Sequence, residues 1–375
     1  MRTALIHARL HSADDCTILI DDGIISAVHE SSQGRLDGYE IFDCAGHVIA
    51  PGFIDTQVNG GGGVLFNDDT SIDGIARIAA AHRCFGTTGL LPTLISDDLD
   101  VIASAIKAVD AAIEAGVPGI LGIHIEGPYL SPIRKGTHDE SKFRVLDDAD
   151  IALLSSLKRG KTVLTLAPEC NDLTHIRALT NAGVIVSAGH TDATYTQTQQ
   201  AIQAGLRGFT HLFNAMSPLM NREPGVVGAA LSDTDTWCGL IVDGFHVHPA
   251  TLAVALRCRP LERFMLVTDA MPNLGTDLVD FRMQGKTVHV RGGRLVDDNG
   301  VLSGSVLDMA SAVRNAVNLL GLPMAQALRM ASGNPADFLG IGHSHGRIAP
   351  GYRADLVLFD DSLQACQTWI AGEAG

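Results

Sequence analysis

Eight apolar runs, each seven or eight residues long and separated by segments long enough to hold a helix, restrict this chain more than any other feature. They are GFIDTQV (52–58), TGLLPTLI (88–95), GILGIHIE (119–126), TVLTLAPE (162–169), VIVSAGH (184–190), GFTHLFN (208–214), GLIVDGF (239–245) and FMLVTDA (264–270). Runs apolar on both faces are what strands of a covered parallel sheet require. Between them, SIDGIARIAAAHRCF (71–85) and DVIASAIKAVDAAIEAG (100–116) repeat apolar residues at helical spacing. The alternation predicts an α/β fold, a (β/α)8 TIM-like barrel over residues 51–345. A doubly wound open sheet is the competing arrangement. It lacks support, because no G-x-G-x-x-G follows the first run, and GGGG at 60–63 lacks the Lys-Ser/Thr of a phosphate loop.

The two ends have another texture. ALIHARL, CTILIDDGIISAVHE and YEIFDCAGHVIA are short strand-like pieces, and DDG at 21–23 is a hairpin signal. GRIAPGYRADLVLFD (346–360) reads the same way. Chain ends commonly lie close in space, so residues 1–50 and 346–375 are expected to build one small β-sandwich domain.

Composition narrows the function classes. At 46% hydrophobic and 18% charged residues the chain can bury a large core. A net charge of −15 argues against nucleic acid or an anionic membrane as partner. The seven cysteines are odd in number, scattered and without a Cys-x-x-Cys, so reduced thiols are expected. MRTALIHARLHSADD holds no signal-peptide core, and no later run is long enough to span a bilayer. The expectation is a cytoplasmic protein.

A barrel carries its chemistry at the C-terminal tips of its strands. Those tips read Gln57 and Asn59, Thr93, Glu126, Glu169, His190, His211 and Asn214, Asp243 and His246, and Asp269. Core packing does not demand a polar residue at each tip; a shared site does. Glu126, His190 and His211 supply one carboxylate and two imidazoles, the ligand set of a catalytic zinc site with a position left open. A single buried histidine is more often a hydrogen-bonded core residue; three ligand types at neighbouring tips favour the metal. Asp269 could be a turn or cap residue, but barrel closure would place it as a general base. His343 and His345 form a literal His-x-His, yet lie after the last strand and read as a loop. His124 points the same way as Glu126, into the barrel interior. Of His246 and His248, one need face the pocket.

Together PGFIDTQVNGGGG, GIHIEGPYLSPIRKGTH, SAGHTDA, THLFNAMSP, REPGVVGAAL, VDGFHV, LVTDAMP and LSGS resemble the N-acetylglucosamine-6-phosphate deacetylases of the amidohydrolase superfamily, over nearly the whole chain. HIEGP and THLFNAM with REPG are specific to that group, and the ADLV tail is general to the superfamily. The resemblance implies hydrolysis of an acetamido sugar phosphate to acetate and the amino sugar phosphate. Many members carry His-x-His on the first strand and can hold two metals; Gln57-Val58-Asn59 resembles the one-metal subset. Neutral amides are poor zinc ligands beside imidazole or carboxylate. One divalent ion is therefore expected, zinc foremost, with Fe2+, Mn2+ or Co2+ compatible.

The resemblance also implies roles. His138 would assist at the carbonyl oxygen. Arg222 would bind phosphate in the neighbouring subunit of a homodimer. Asn214 and Ala215 would meet the phosphate end of the sugar, and His246 the sugar or phosphate. Leu302, Ser303 and Gly304 would close over the ligand, with Thr137 lining the site beside His138. The N-acetylgalactosamine 6-phosphate epimer is the alternative substrate. A cyclic-amide hydrolase is disfavoured, because its fourth strand usually carries a Lys where this chain has TLAPEC. A metal-free scaffold is the remote alternative, and the retained Glu126, His190, His211 and Asp269 argue against it.

Overall fold

The computed structural model describes residues 2–10, 13–30 and 36–375. Eight parallel strands form its centre: β1 (Phe53–Val58), β2 (Thr87–Ile95), β3 (Gly122–Glu126), β4 (Lys161–Leu166), β5 (Ile185–Ala188), β6 (Gly208–Phe209), β7 (Trp237–Leu240) and β8 (Phe264–Leu266). Each pairs with its neighbour in chain order. This is the expected TIM-like barrel, but the later strands are shorter than their apolar runs. β6 keeps two residues because His211 turns the chain at φ +32°. Glu169, read as a strand tip, lies instead in a single 3-10 turn.

Helices follow every strand: α1 (Ile72–Arg83), α2 (Leu99–Glu114), α3 (Asp148–Leu154), α4 (Leu173–Asn181), α5 (Tyr195–Gln203), α6 (Gly225–Ser232), α7 (Pro249–Cys258) and α8 (Met309–Leu320). Their starts are written in the sequence. Ser71, Asp172 and Asp308 accept from the first-turn amides of α1, α4 and α8, and Asp147 and Thr194 form capping boxes on α3 and α5. His248 caps α7, which leaves His246 for the pocket. Apolar faces of strands and helices merge into one core that includes Phe53, Leu94, Ile125, Leu164 and Leu266.

Closure matters most for the site. β8 and β1 share no ladder; a bridge between Val58 and Ala270 joins their extensions. Asp269 N donates to Gln57 O (3.0 Å), and Asn59 N donates to Ala270 O (2.9 Å). Behind them the buried Asp55 carboxylate accepts from Thr268 Oγ1 (2.5 Å), Thr268 N (3.3 Å) and Gln57 N (3.1 Å). Burial, and then the charge of Asp269, push its pKa up to about 7 against the Thr268 and Gln57 bonds.

The chain ends share one sheet. Strands Arg2–Leu10, Ala13–Asp21, Ile24–His29 and Glu40–Asp43 join Val48–Pro51, Leu356–Phe359, Ala365–Ile370 and Glu373–Ala374. The expected hairpin forms: Asp22 (φ +49°) and Gly23 (φ +81°) connect its strands in a two-residue turn. A further, three-stranded sheet, absent from the sequence reading, follows β8: Asp280–Met283, Lys286–Arg291 and Arg294–Asp297. Its turns, Gln284-Gly285 and Gly292-Gly293, all have positive φ. GG at 292–293 between two strands was a legible hairpin signal. Gln284 bonds Ser96 O and the Asp139 amide, and Lys286 bonds Thr137 O, so this sheet holds the loop carrying His138.

Candidate active site

The strand tips converge. Glu126 Oε1 lies 3.1 Å from His190 Nε2 and 2.9 Å from His211 Nε2, and the two nitrogens are 3.2 Å apart. All three side chains are buried. His138 joins from the loop after β3: one of its ring nitrogens lies within 4.8 Å of the ligand atoms of Glu126 and His190. Three of the clustered residues, His190 (φ +47°), His211 (φ +32°) and Asp269 (φ +54°), stand in the left-handed region. Non-glycine residues rarely adopt it, and such strain gathers at functional sites.

The donor set fits a cation. His190 Nδ1 is 2.9 Å from the Arg134 carbonyl, which can only accept, so Nδ1 carries the proton. In the neutral ring Nε2 is then a bare lone pair, aimed at a carboxylate oxygen and a second imidazole. Lone pairs crowded this closely need protons or a metal among them. Edges of 2.9–3.2 Å fall just short of the ~3.3 Å that tetrahedral ligands at about 2.0–2.1 Å from a zinc ion would span. The carbonyl behind His190 is the usual outer support of a ligating imidazole. The residues therefore fit a single divalent ion.

Electrostatics within the cluster follow from burial and neighbours. Burial raises the Glu126 pKa, but its side-chain contacts with His190 and His211 outweigh it and hold the carboxyl well below its ordinary range. Burial lowers the His211 pKa; Glu126, and then Asp269, reverse that and leave it raised. His138 is pushed well below the histidine range by burial and then by the neighbouring His190 ring. Asp269 is raised to about 6, first by burial and then by Glu126, against His211, His246 and Asn59.

Below the cluster a hydrogen-bonded floor fills the barrel. His124 sits between Thr93 Oγ1 (3.3 Å) and Thr165 Oγ1 (2.8 Å), and Thr165 meets Thr210 Oγ1 at 2.6 Å. His124 thus supports the site from inside. Glu169 accepts from Thr191 Oγ1 (2.5 Å) and the Asp192 amide (2.6 Å), fixing the turn after His190.

Above it opens a cavity of about 390 Å³. Thr137, His138, Asn214, Ala215, His246, Asp269, Leu302 and Gly304 line it with the three ligand candidates. Ser303 stands behind, donating to Thr137 Oγ1 at 3.1 Å. Arg222 does not line it; it is exposed on the loop before α6. His343 and His345 lie outside it, His345 facing Asp355 at 3.9 Å. A larger cavity, about 470 Å³, lies where Leu10 and Ile49 meet Leu328 and Ile348. Its arginines are paired, Arg329 with Glu262 and Arg347 with Asp337, and it gathers no cluster of titratable groups. Chemistry belongs to the smaller one.

The Amidohydrolase family model matches residues 48–374. The chain belongs to the amidohydrolase family. A curated relative from Shewanella sp. (strain ANA-3), named N-acetylgalactosamine-6-phosphate deacetylase, is 44% identical over 96% of this chain and 91% of its own. One from Haemophilus influenzae, named N-acetylglucosamine-6-phosphate deacetylase, is 34% identical over 100% of this chain and 99% of its own. The crystal structure of N-acetylglucosamine-6-phosphate deacetylase from Pasteurella multocida superposes with a TM-score of 0.96, at 35% identity and full coverage of both chains.

Two further acids bear on the site. Asp55, the one acid inside the apolar β1 run, ties the Gln57 backbone amide to Thr268. Asp243, a strand tip to which the sequence assigns no role, sets its Oδ2 2.6 Å from His246 Nδ1, and its Oδ1 accepts from the amides of Phe245 and His246. The i, i+3 spacing after a strand end was the available clue.

Proposed function

We propose that the chain hydrolyses the acetamide of N-acetyl-D-glucosamine 6-phosphate, giving acetate and D-glucosamine 6-phosphate. The observation that carries this reading is the meeting of Glu126, His190 and His211 with Asp269 at one end of the cavity lined by His138, Asn214 and His246. The relatives' names agree on the reaction class.

Glu126, His190 and His211 would hold the ion; zinc suits two imidazoles and a carboxylate best, with Fe2+, Mn2+ or Co2+ compatible. When bound, such an ion supplies Lewis acidity for water and for a carbonyl oxygen. Asp269 takes a proton from the attacking water. As the C–N bond breaks, Asp269 returns that proton to nitrogen, because an amine leaves poorly as an anion. His138, on the same cavity wall, donates to the oxygen on which charge develops. His246, its Nδ1 proton held by Asp243, turns Nε2 to the sugar. Asn214, Ala215 and Thr137 line the sugar end, and Leu302, Ser303 and Gly304 cover it.

Arg222 is assigned to the phosphate of a neighbouring subunit. Its exposure, and that of Leu219 (57%) and Met220 (58%) beside it, supports a homodimer built on this loop. We read the protein as cytoplasmic, with its ends forming a domain of residues 1–50 and 346–375 around the barrel of 51–345. Among the described residues no helix is long and apolar enough to cross a membrane, and the described cysteines are unpaired.

A second reading is favoured by the 44% identical relative, which is named for the galactosamine epimer. Acetate release from both 6-phosphates and from free N-acetylglucosamine tests both. The main reading expects the highest kcat/KM on N-acetylglucosamine 6-phosphate. Preference for the galactosamine epimer moves the assignment to it, and equal rates on free sugar overturn the phosphate assignment.

A further inference from the structure

Gln57 and Asn59 occupy places where lone pairs could have held a second ion, and they present donors instead. Both are buried, at 2% and 0% exposure. Gln57 Nε2 lies 3.1 Å from Glu126 Oε2 and 3.1 Å from Asp269 Oδ1. Asn59 Nδ2 lies 2.6 Å from Asp269 Oδ1. A primary amide carries two N–H groups, and Gln57 spends one on each carboxylate.

This divides the labour of each acid. Glu126 gives Oε1 to the two imidazoles and Oε2 to Gln57. Asp269 receives both amides on one oxygen, leaving its other oxygen uncommitted to either. The amides cannot drift, because the β1 backbone that carries them is tied to the β8 extension. Asp269 N donates to Gln57 O, Asn59 N donates to Ala270 O, and Asp55 bonds both Gln57 N and Thr268.

We infer that Gln57 and Asn59 are positioning residues: their N–H groups hold the two carboxylates together as a bridging cation would. Gln57 fixes which oxygen of Glu126 faces the ion, and Asn59 fixes the rotamer of Asp269. This rests on the proposed reaction for its kinetic half, whereas its metal half stands without it.

The test uses the full chain, stripped with chelator and reloaded with zinc, as wild type, Gln57→Met and Asn59→Leu. Zinc affinity is read by competition with a chromophoric chelator, and kcat and KM by acetate release. Gln57→Met is expected to weaken zinc by about tenfold or more, the usual effect of removing a ligand's outer partner. Asn59→Leu is expected to keep zinc affinity within about twofold and to lower kcat by about tenfold or more with KM unchanged, since a misaligned base costs turnover rather than binding. Wild-type zinc affinity in Gln57→Met, together with wild-type kcat in Asn59→Leu, would reduce both residues to spacers and overturn the inference. If the apolar variants do not fold, Gln57→Ser and Asn59→Ser, too short to reach the carboxylates, carry the same expectations. A wild-type protein that binds zinc but releases no acetate would sink the proposed reaction, and the Gln57 zinc measurement would still decide the positioning role.

Discussion

The two sides of the barrel mouth are built alike and face the centre with opposite chemistry. At β3, β5 and β6 the tips offer acceptors: a carboxylate oxygen and two imidazole nitrogens within 3.2 Å of each other. At β1 the tips offer donors, the amides of Gln57 and Asn59, and both point at carboxylates. Each set is buried and each is held by strand ends. A ring of polar tips is thus not itself a metal site. Lone pairs facing one point make a place for a cation, and N–H groups facing carboxylates do a cation's work without one.

Asp269 stands between the two sides, so its removal separates them most sharply. Asp269→Asn should cut kcat by about a thousandfold or more while leaving KM and zinc content near wild type, the scale of losing a general acid–base group. Steady-state kinetics with metal analysis would check this. Near-normal turnover would take the base role away from Asp269.

Each side also rests on a neutral buried imidazole. His82 donates to Gly60 O beside Asn59, and His124 sits in the threonine floor under the metal side. Burial lowers both to about 4. In the unfolded chain they titrate near 6.5, so that state binds more protons as pH falls. Their contribution is intact above about pH 6.5 and is lost toward pH 4, by about 3 kcal/mol each. Denaturant melts of the metal-free protein should show stability declining over that window. A flat profile would mean that the two rings are hydrated or charged in the fold.

The barrel, its eight runs and its tips were legible because parallel strands buried on both faces must be apolar, and polar residues ending them stand out. Closure also set Asp269 beside strand one as expected, but the contacts of its carboxylate with Gln57 and Asn59 were not legible, because strands lacking a ladder leave no register to read. The early ends of β5 and β6 were hidden for another reason: His190 and His211 take a positive φ that propensity does not foresee. His138 was legible only through the family resemblance, since in a loop it carries no periodic signal.

Smaller effects are expected at the outer edge of the mouth. Arg222→Ala should raise KM for the phosphorylated sugar by about 10–100-fold, the range of a lost charge-assisted bond, and leave free sugar unaffected. Mixing this variant with an inactive Asp269→Asn protein would recover phosphate binding at some sites only if the arginine acts across subunits. Asp243→Asn should raise KM by about tenfold with little change in kcat, because one amide cannot accept from both the His246 ring and the backbone amides. An unchanged KM would show that His246 needs no such anchor.

One side of the mouth is proposed to hold an ion and the other none. The direct measurement is a zinc titration of chelator-stripped wild-type protein, following bound metal and acetate release together. Both are expected to saturate at one zinc per chain. Activity that rises to a plateau only at two per chain would contradict this, for Gln57 and Asn59 would then be ligands rather than donors.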